Sequence, residues 1–345
     1  MKTLRFAALA FSACLLSTGA VDAADETDAP TLGKIERLDP KLDAIVPPDA
    51  RIERVAEGFD WSEGTVWDAA GSRLLFSDTN KNSVFQYQKG KGTSLFLKPS
   101  GYTGNDPRAG EPGSNGLTFD HQGRLVLCQH GDRRIARLEK DGGFATIADR
   151  YDGKRFNSPN DGVFKSNGDY YFTDPPYGLV KLNDDPAKEI PFSGVYRVKP
   201  DGSTTLLTKE LTFPNGIAFS PDEKTLYVAN SDFKRATWTA FPVKDDGTIG
   251  EGRLFADVTS KVGPANKGLP DGLKVDVNGN LFATGPGGVY IFAPDGKHLG
   301  TLNTGEATGN VAFGEDGSVL YIASDMYIGR VRLATRGPIP GARKN

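Results

Sequence analysis

Cysteine is almost absent from this 345-residue sequence, which contains only Cys14 and Cys128. Cys14 lies in an N-terminal segment that we expect to be removed, so the mature chain would keep one cysteine. A single cysteine forms no internal disulfide, and stability must therefore come from packing. Cys128 ends the segment 124–128, in which apolar residues follow Arg124, and this predicts a small buried side chain in a strand rather than a nucleophile.

Histidine is also scarce, since His121, His130 and His298 lie far apart in the sequence. No His-Glu-x-x-His pattern and no pair of neighbouring cysteines accompanies them, which disfavours a dedicated zinc site. The sequence also lacks the Gly-x-Ser-x-Gly motif and the glycine patterns of nucleotide-binding loops. These absences argue against an α/β serine hydrolase and against a nucleotide-binding enzyme.

A strong excess of one charge is missing as well. The formal net charge is −3, the isoelectric point is near 5.8, and no long basic run occurs. Nucleic acid and anionic membrane surfaces are therefore disfavoured as partners. A small or neutral ligand fits this composition better.

The apolar run at the N-terminus is short. A basic start precedes apolar residues 6–16, and a small-residue site ends at Ala23. This order predicts a signal peptide over residues 1–23, and hence a secreted or periplasmic protein with no membrane association in its mature form. The run is too short for the first alternative, a single-pass anchor. The second alternative, a lipoprotein attached at Cys14, is disfavoured because apolar residues continue beyond that cysteine.

Glycine and proline are abundant, with 42 and 22 residues. Together with 10% aromatic residues, they indicate a turn-rich protein with many short strands. Residues 24–51 show little strand periodicity and are predicted to form a flexible arm that packs only in part. We expect one domain over residues 52–335, followed by a tail over residues 336–345.

A short sequence motif recurs six times in this domain. Each copy starts with a polar residue, usually followed by glycine, and continues into an apolar strand, as in Asn215-Gly216 and the residues after it. The copies start at residues 63, 115, 160, 215, 271 and 310. Units of roughly 40 to 55 residues suit four short strands each, as in a propeller blade. The sequence therefore predicts an all-β, six-bladed β-propeller.

Two polar segments interrupt the repeats. The stretch 101–108 has no periodic pattern and is predicted to be a loop over one face of the propeller, where function commonly resides. The insertion 180–191 is too polar for a strand and is interpreted either as a lid over the channel mouth or as an ordinary surface loop. The last strand, 327–333, is predicted to pair with a strand near 52–56 and to close the sheet edge.

The residue that opens each inner strand can project toward the propeller axis. A single Asn-Gly or Asp-Gly pair is usually a turn, but several converging copies can form a site. Two carboxylates and two amides suit a hard divalent cation, with water or substrate completing its shell. We expect Ca²⁺, with Mg²⁺ and Zn²⁺ as alternatives. The candidate metal ligands are Glu63, Asn160, Asn215 and Asp271.

Four segments resemble the signature turns of a known family. They resemble the senescence marker protein/gluconolactonase/luciferin-regenerating-enzyme family, over residues 52–333 in order and spacing. Residues 113–134 are similar to its bacterial gluconolactonase branch. The resemblance implies a six-bladed propeller that hydrolyses sugar lactones with a divalent metal. The segments are Ser62-Glu63-Gly64-Thr65-Val66-Trp67, Asn157-Ser158-Pro159-Asn160-Asp161-Gly162, Phe213-Pro214-Asn215-Gly216 and Pro270-Asp271-Gly272.

The resemblance also implies roles for single residues. It carries over the same four residues as metal ligands, and Asp271 also as the general base. Asn115, His130 and Tyr177 are further candidates for contact with a sugar lactone, and a structural role is the alternative for His130. The sequence departs from the family pattern at Ser158, where some members have an arginine that holds substrate hydroxyls. The identity of the substrate is therefore open.

The chemistry that these residues predict is metal-assisted hydrolysis. A bound cation would polarise a lactone carbonyl while a carboxylate accepts a proton from the attacking water. The first alternative is a hydrolase of phosphotriesters or aryl esters on the same propeller. The second is a non-catalytic propeller that uses the metal to hold its channel together and binds a sugar or a protein.

Overall fold

The computed structural model describes residues 29–106 and 108–341. They form an all-β, six-bladed propeller, as predicted, and the helical segments in this part of the chain are short 3₁₀ turns. None of these turns is long and apolar enough to cross a membrane. The predicted signal peptide, 1–23, lies outside the described residues, as does 342–345 of the predicted tail.

Two strands precede the first blade, with one 3₁₀ turn between them. The strands are β1 (Lys34–Arg37) and β2 (Glu53–Glu57), and the turn is Pro40–Ala44. Both strands join blades that are built from the end of the chain, as described below.

The first two blades are four-stranded antiparallel sheets whose strands follow one another in sequence. Blade one consists of β3 (Ser62–Asp68), β4 (Arg73–Asp78), β5 (Ser83–Gln88) and β6 (Gly92–Leu97). Blade two consists of β7 (Ser114–Phe119), β8 (Leu125–Gln129), β9 (Arg134–Leu138) and β10 (Phe144–Ala148).

The next two blades repeat this order after a small hairpin. The hairpin is β11 (Arg150–Tyr151) and β12 (Lys154–Arg155). Blade three consists of β13 (Gly162–Phe164), β14 (Tyr170–Asp174), β15 (Gly194–Val198) and β16 (Thr204–Thr208). Blade four consists of β17 (Pro214–Phe219), β18 (Thr225–Asp232), β19 (Arg235–Pro242) and β20 (Arg253–Asp257). Further 3₁₀ turns are Leu182–Asp184 and Thr259–Lys261.

The last two blades each include a strand from the start of the chain. Blade five consists of β21 (Leu273–Val275), β22 (Leu281–Gly285), β23 (Gly288–Phe292) and β24 (His298–Asn303), with β1 as a fifth strand. Blade six consists of β25 (Thr308–Gly314), β26 (Val319–Ser324) and β27 (Tyr327–Arg332), with β2 outermost. As predicted, this last pairing joins the two ends of the propeller, with Glu53 opposite Arg330.

The six inner strands form a closed ring around the axis. Contacts connect β3 to β7, β7 to β13, β13 to β17, β17 to β21, β21 to β25, and β25 back to β3. The first residues of these strands therefore surround one end of a common channel, and their last residues surround the other end. This arrangement decides which side chains can share a site.

Residues 29–51, within the predicted arm, contain a paired strand and a 3₁₀ turn. Strand β1 pairs with β24, and Ile35 lies opposite Leu302. Leu42 and Val46 are fully buried against blades five and six. The sequence did not indicate this strand, because β1 is a half-exposed edge strand. Its pairing depends on backbone groups and needs no alternating pattern of side chains.

The hydrophobic core is divided among the six junctions between neighbouring blades. In β4, Leu74 and Phe76 pack toward blade six, whereas Leu75 packs toward blade two. Successive side chains of a strand point to opposite faces, so both faces of the blade are covered.

The described part of the tail, 336–341, packs against the propeller. The carbonyl of Arg336 accepts a 2.9 Å hydrogen bond from the Val277 amide. Gly337 lies on the ring of Phe313, and Gly341 lies against Phe119. These phenylalanines stand near the last residues of inner strands in blades six and two, so the tail crosses the end of the channel opposite the candidate ligands.

Candidate metal and substrate site

Several inner strands begin with a β-bulge at the polar residue that the repeat analysis singled out. The pairing of β7 with β8 shifts between Ser114 and Leu117, and that of β17 with β18 shifts between Pro214 and Ile217. Strands β3 and β25 have a shift at the corresponding place. A bulge changes the direction of a side chain. It can therefore turn a residue that would otherwise face a neighbouring blade toward the axis.

The glycine that follows a polar residue allows the inner strands to approach closely. A Cβ atom on Gly216 would lie 2.2 Å from the carbonyl oxygen of Asp271. A Cβ atom on Gly64 would lie 1.9 Å from the carbonyl oxygen of Asn115. Both distances are far inside van der Waals contact. The dipeptides that were interpreted as ordinary turns are therefore also a packing requirement, and they bring ligands of adjacent blades together.

One cavity at this end of the channel brings together most of the predicted site residues. It has a volume of about 270 Å³. The four candidate metal ligands and two of the three candidate substrate residues contribute to its wall. These lining residues are Glu63, Asn115, Asn160, Tyr177, Asn215 and Asp271. The third substrate candidate, His130, does not line the cavity.

Four buried oxygens of this wall have no hydrogen-bond partner among the described residues. They are the Oδ1 atoms of Asn115, Asn160, Asn215 and Asp271. Buried acceptors without donors are costly, and a cation would satisfy several of them together. No three His, Cys, Asp or Glu side chains within 29–106 and 108–341 are arranged to hold a metal. The site therefore depends on amide oxygens, which suit a hard cation.

Neighbouring groups orient two of the candidate ligands. The Asn215 amide donates a 3.0 Å hydrogen bond to Ser231 Oγ, which leaves the amide oxygen for the cavity. Glu63 Oε2 accepts hydrogen bonds from the Gly64 amide at 3.0 Å and from Asn310 Nδ2 at 3.4 Å. Asn310 opens the sixth repeat, so the sixth blade supports the site through Glu63.

The site is electrostatically unfavourable without a positive ion. The pKa of Glu63 is raised to about 8, mainly by burial and also by the charge of Asp161, and the hydrogen bond from the Gly64 amide only partly offsets this rise. Burial, followed by repulsion from Glu63, raises the pKa of Asp271 well above its ordinary value. Binding of a cation would favour the charged carboxylates and would release their protons.

Ser158 does not reach the cavity. Its Oγ donates a 2.6 Å hydrogen bond to the Pro175 carbonyl and accepts a 2.8 Å hydrogen bond from the Gly178 amide. A Cβ atom on Gly178 would lie 2.7 Å from Ser158 Cβ. The turn at Tyr177 and Gly178 thus packs directly on Ser158. On this side of the cavity, Tyr177 is the residue available to a substrate.

The structure adds an acidic residue that the sequence did not predict. Glu111, in the loop before β7, lines the cavity, and its Oε2 lies 3.2 Å from Nδ1 of His130. His130 is completely buried, so it can affect a substrate only through a neighbour such as Glu111. Trp61, Ser231 and Phe233 also line the cavity. Glu111 had no sequence signal of its own, although the segment just before it was predicted to cover a face of the propeller.

The insertion 180–191 does not form a lid over this cavity, and none of its residues lines the wall. It lines a separate groove together with residues 209–213. Its second half is held in place, because the Ala187 carbonyl accepts a hydrogen bond from Arg133 and Glu189 accepts one from the Arg155 amide, both at 2.8 Å. The alternative interpretation, an ordinary surface loop, agrees with the structure.

The sequence over residues 61–326 matches the model of the SMP-30/Gluconolactonase/LRE-like family. The chain belongs to this family. The match extends from blade one into blade six and includes all four candidate ligands, so the resemblance that the repeated turns indicated is confirmed.

Relatives within the family are similar over most of their length. A gluconolactonase of Zymomonas mobilis is 41% identical over 335 residues, which cover 95% of this chain and 94% of that protein. A lactonase of Staphylococcus saprophyticus is 32% identical over 254 residues, 70% of this chain and 68% of that protein. The solved structure of a gluconolactonase from Xanthomonas campestris superposes with a TM-score of 0.77 at 33% identity, over 88% of this chain and 97% of that chain.

Proposed function

We propose that this protein is a divalent-cation-dependent hydrolase that opens sugar lactones. The observation that carries the proposal is the set of unpaired, buried oxygens in one cavity. Two of its similar relatives are named gluconolactonases and a third is named a lactonase, which supports lactone opening as the reaction. The predicted leader, 1–23, would place this activity in the periplasm or outside the cell, and the mass of the mature protein would test that placement.

The cation would be held by residues of four blades, and we expect it to be Ca²⁺, with Mg²⁺ and Zn²⁺ as alternatives. A divalent cation bound there would supply a positive charge that polarises a lactone carbonyl and stabilises negative charge on its oxygen. Tyr177 is positioned to orient the substrate, because its ring stacks on Phe213 at 5.8 Å. The residues that would hold the cation are Glu63, Asn160, Asn215 and Asp271.

Asp271 is the candidate general base. Its Oδ1 is buried in the cavity wall and has no hydrogen-bond partner among the described residues. That oxygen can accept a proton from a water molecule that attacks the lactone carbonyl. General-base assistance of this kind typically contributes about 10² to 10⁴-fold in rate. The unpaired Oδ1 of Asn115 faces the same cavity and can accept a hydrogen bond from a substrate hydroxyl.

Removal of the cation tests the proposal directly. Acid release from D-glucono-1,5-lactone would be followed at constant pH, with the spontaneous reaction subtracted. We expect chelation to lower the rate by about 100-fold or more, because a metal contributes several kcal/mol to such a reaction. Addition of Ca²⁺, Mg²⁺ or Zn²⁺ should restore it to different extents. Full activity in protein shown to be metal-free would contradict cation dependence.

The cation should also change how stability depends on pH. The pKa of Glu63 rises from 4.5 to about 8 in the folded, cation-free protein, so the folded state binds more protons than the unfolded state between these values. Stability of the cation-free protein should therefore fall as pH rises from about 5 to 8, by up to about 1.4 kcal/mol per pH unit for one group. The pKa of Glu63 is raised because the carboxyl is buried and has no hydrogen-bonded partner of opposite charge.

The measurement is the melting temperature with Ca²⁺ and without it, at pH 5 and at pH 8. Stabilisation by Ca²⁺ should be larger at pH 8, where its ligands are ready to lose their protons. Glu63→Gln should weaken the pH dependence of the cation-free protein. Equal stabilisation by Ca²⁺ at both pH values would show that protons and cation do not compete for this site.

A further inference from the structure

The loop that carries Glu111 is closed at its base by two glycines. A Cβ atom on Gly101 would lie 2.0 Å from the carbonyl carbon of Gly113, so the two ends of the loop touch. The Gly113 amide donates a 2.8 Å hydrogen bond to the Thr79 carbonyl of blade one. The position of Glu111, two residues before Gly113, is therefore defined by backbone packing rather than by a free loop.

An arginine of the same loop connects it to two blades. Arg108 donates one 2.5 Å hydrogen bond to the Gly131 carbonyl in blade two and another to the Gly178 carbonyl beside Tyr177. Its guanidinium group also lies over the ring of Tyr102, 5.4 Å from the ring centre. The loop and the Tyr177 turn are thereby held together, and Glu111 and Tyr177 are held as parts of one cavity wall.

A buried histidine supports Glu111 from the protein side. Nδ1 of His130 lies 3.2 Å from Oε2 of Glu111; the His130 side chain is fully buried, and that of Glu111 is 31% exposed. Neither ring nitrogen of His130 has an aligned hydrogen bond in the described chain, so Nδ1 meets Glu111 as a close polar contact. This contact involves Oε2 of Glu111, and Glu111 lines the cavity, so its other oxygen, Oε1, is left for a ligand.

The charge of the cavity wall also distinguishes Glu111. Three carboxylates, Glu63, Asp271 and Glu111, line the cavity, and none of its described lining residues is Lys, Arg or His. One divalent cation balances two of these charges. The Glu111 carboxylate is left without a cation of its own, and a carboxylate accepts strong hydrogen bonds from hydroxyl groups and repels anions.

We propose that Glu111, positioned by His130, determines substrate specificity by accepting hydrogen bonds from the hydroxyl groups of a neutral, polyhydroxylated lactone. The proposal rests on the lactone hydrolysis proposed above. Glu111 contacts the part of the substrate remote from the carbonyl. His130 acts through Glu111 and is a positioning residue.

The test compares two lactones that share a six-membered ring. D-Glucono-1,5-lactone carries hydroxyl groups, and δ-valerolactone carries none. For Glu111→Gln we expect kcat/KM to fall about tenfold or more for the hydroxylated lactone, because a charged acceptor is lost, and to stay within about twofold for δ-valerolactone. An equal loss for both lactones, or no loss for either, would overturn the proposal.

Asp106→Asn is the matched control, because it removes one negative charge from an exposed position of the same loop. Asp106 does not line the cavity, so both lactones should be opened at the wild-type rate. A change in lactone preference similar to that of Glu111→Gln would mean that the general charge of the loop is responsible. That result would also overturn the proposal.

A binding measurement separates this inference from the proposed activity. 1,5-Anhydro-D-glucitol has a hydroxylated six-membered ring but no ester, and saturation-transfer NMR can report its contact with the wild-type protein and with Glu111→Gln. We expect weaker binding to the variant even if the wild type opens no lactone. Equal binding to both proteins would contradict the proposed role of Glu111. If the wild type opened no lactone but bound more tightly than the variant, only the proposed activity would be wrong.

The role of His130 is tested by a double substitution. If His130 acts only through Glu111, then Glu111→Gln combined with His130→Asn should have the same lactone preference as Glu111→Gln alone. An additional, additive loss of preference would assign His130 an independent role. Circular dichroism would establish that the double variant is folded, and the result for Glu111→Gln does not depend on it.

Discussion

Asp271→Asn and Glu63→Gln are each expected to lower lactone opening by about 10³-fold or more while the propeller stays folded. Each substitution replaces a carboxylate with a neutral amide of similar shape, so a charged ligand is lost without a change in packing. Asp271→Asn also removes the candidate base, which typically contributes about 10² to 10⁴-fold. Acid release from D-glucono-1,5-lactone measures the effect, and calorimetric titration with Ca²⁺ shows whether cation binding is lost.

The same two variants should be more stable than the wild type in the absence of a cation. Both carboxyls are buried and repel each other, so removal of one of them relieves an unfavourable interaction. A higher melting temperature together with lost activity would separate a functional defect from unfolding. Asp245→Asn, the same chemical change at an exposed position, is the control for both measurements. If both site variants opened the lactone at the wild-type rate, the proposed function would be wrong.

Gly216→Ala is expected to disrupt the site through the backbone. The new Cβ atom would lie 2.2 Å from the Asp271 carbonyl oxygen and 2.7 Å from the Cα atom of Gly272. These are backbone atoms of the two residues just before the next inner strand, β21, and they cannot rotate away. Blades four and five would have to separate, at a cost of about 3 kcal/mol or more. Because Asn215 and Asp271 lie on these two blades, Ca²⁺ affinity should fall with stability.

Gly263→Ala provides the matched control, since no atom lies within 4 Å of the Cβ position at Gly263 and its backbone is not in the left-handed region. This variant should stay within about 0.5 kcal/mol of the wild type. Urea unfolding and Ca²⁺ titration compare the two variants. If Gly216→Ala unfolded at the wild-type midpoint and bound Ca²⁺ normally, the close approach of the inner strands would not be required for the site.

The repeated sequence motifs were sufficient to predict the propeller and to select the candidate metal ligands. A polar residue at the start of each inner strand occupies the same place in every blade, so residues far apart in sequence meet at the axis. Cys128 was also predicted correctly as a buried strand residue, and burial raises the pKa of its thiol. The local sequence pattern was informative in these cases because equivalent positions have the same structural role in each blade.

Features that depend on a single contact were not predicted. Strand β1 was missed because it binds a free sheet edge through its backbone, and Glu111 was missed because an acidic residue in an irregular loop has no periodic context. The position of the insertion 180–191 was also not predictable from its sequence. Its composition excluded a strand, but only the packing of Ala187 and Glu189 against neighbouring segments showed that it does not cover the cavity.

The number of blades, the pairing that closes the ring and the oxygen-rich character of the ligand set follow from the order and spacing of residues along the chain. Repeats of similar size leave few ways to bury their apolar faces, so the repeated pattern determines the architecture. Which residues line the cavity was determined only by the tertiary structure. Glu111 reaches that wall because two glycines and Arg108 hold its loop against neighbouring blades, and contacts between distant segments leave no regular trace in sequence.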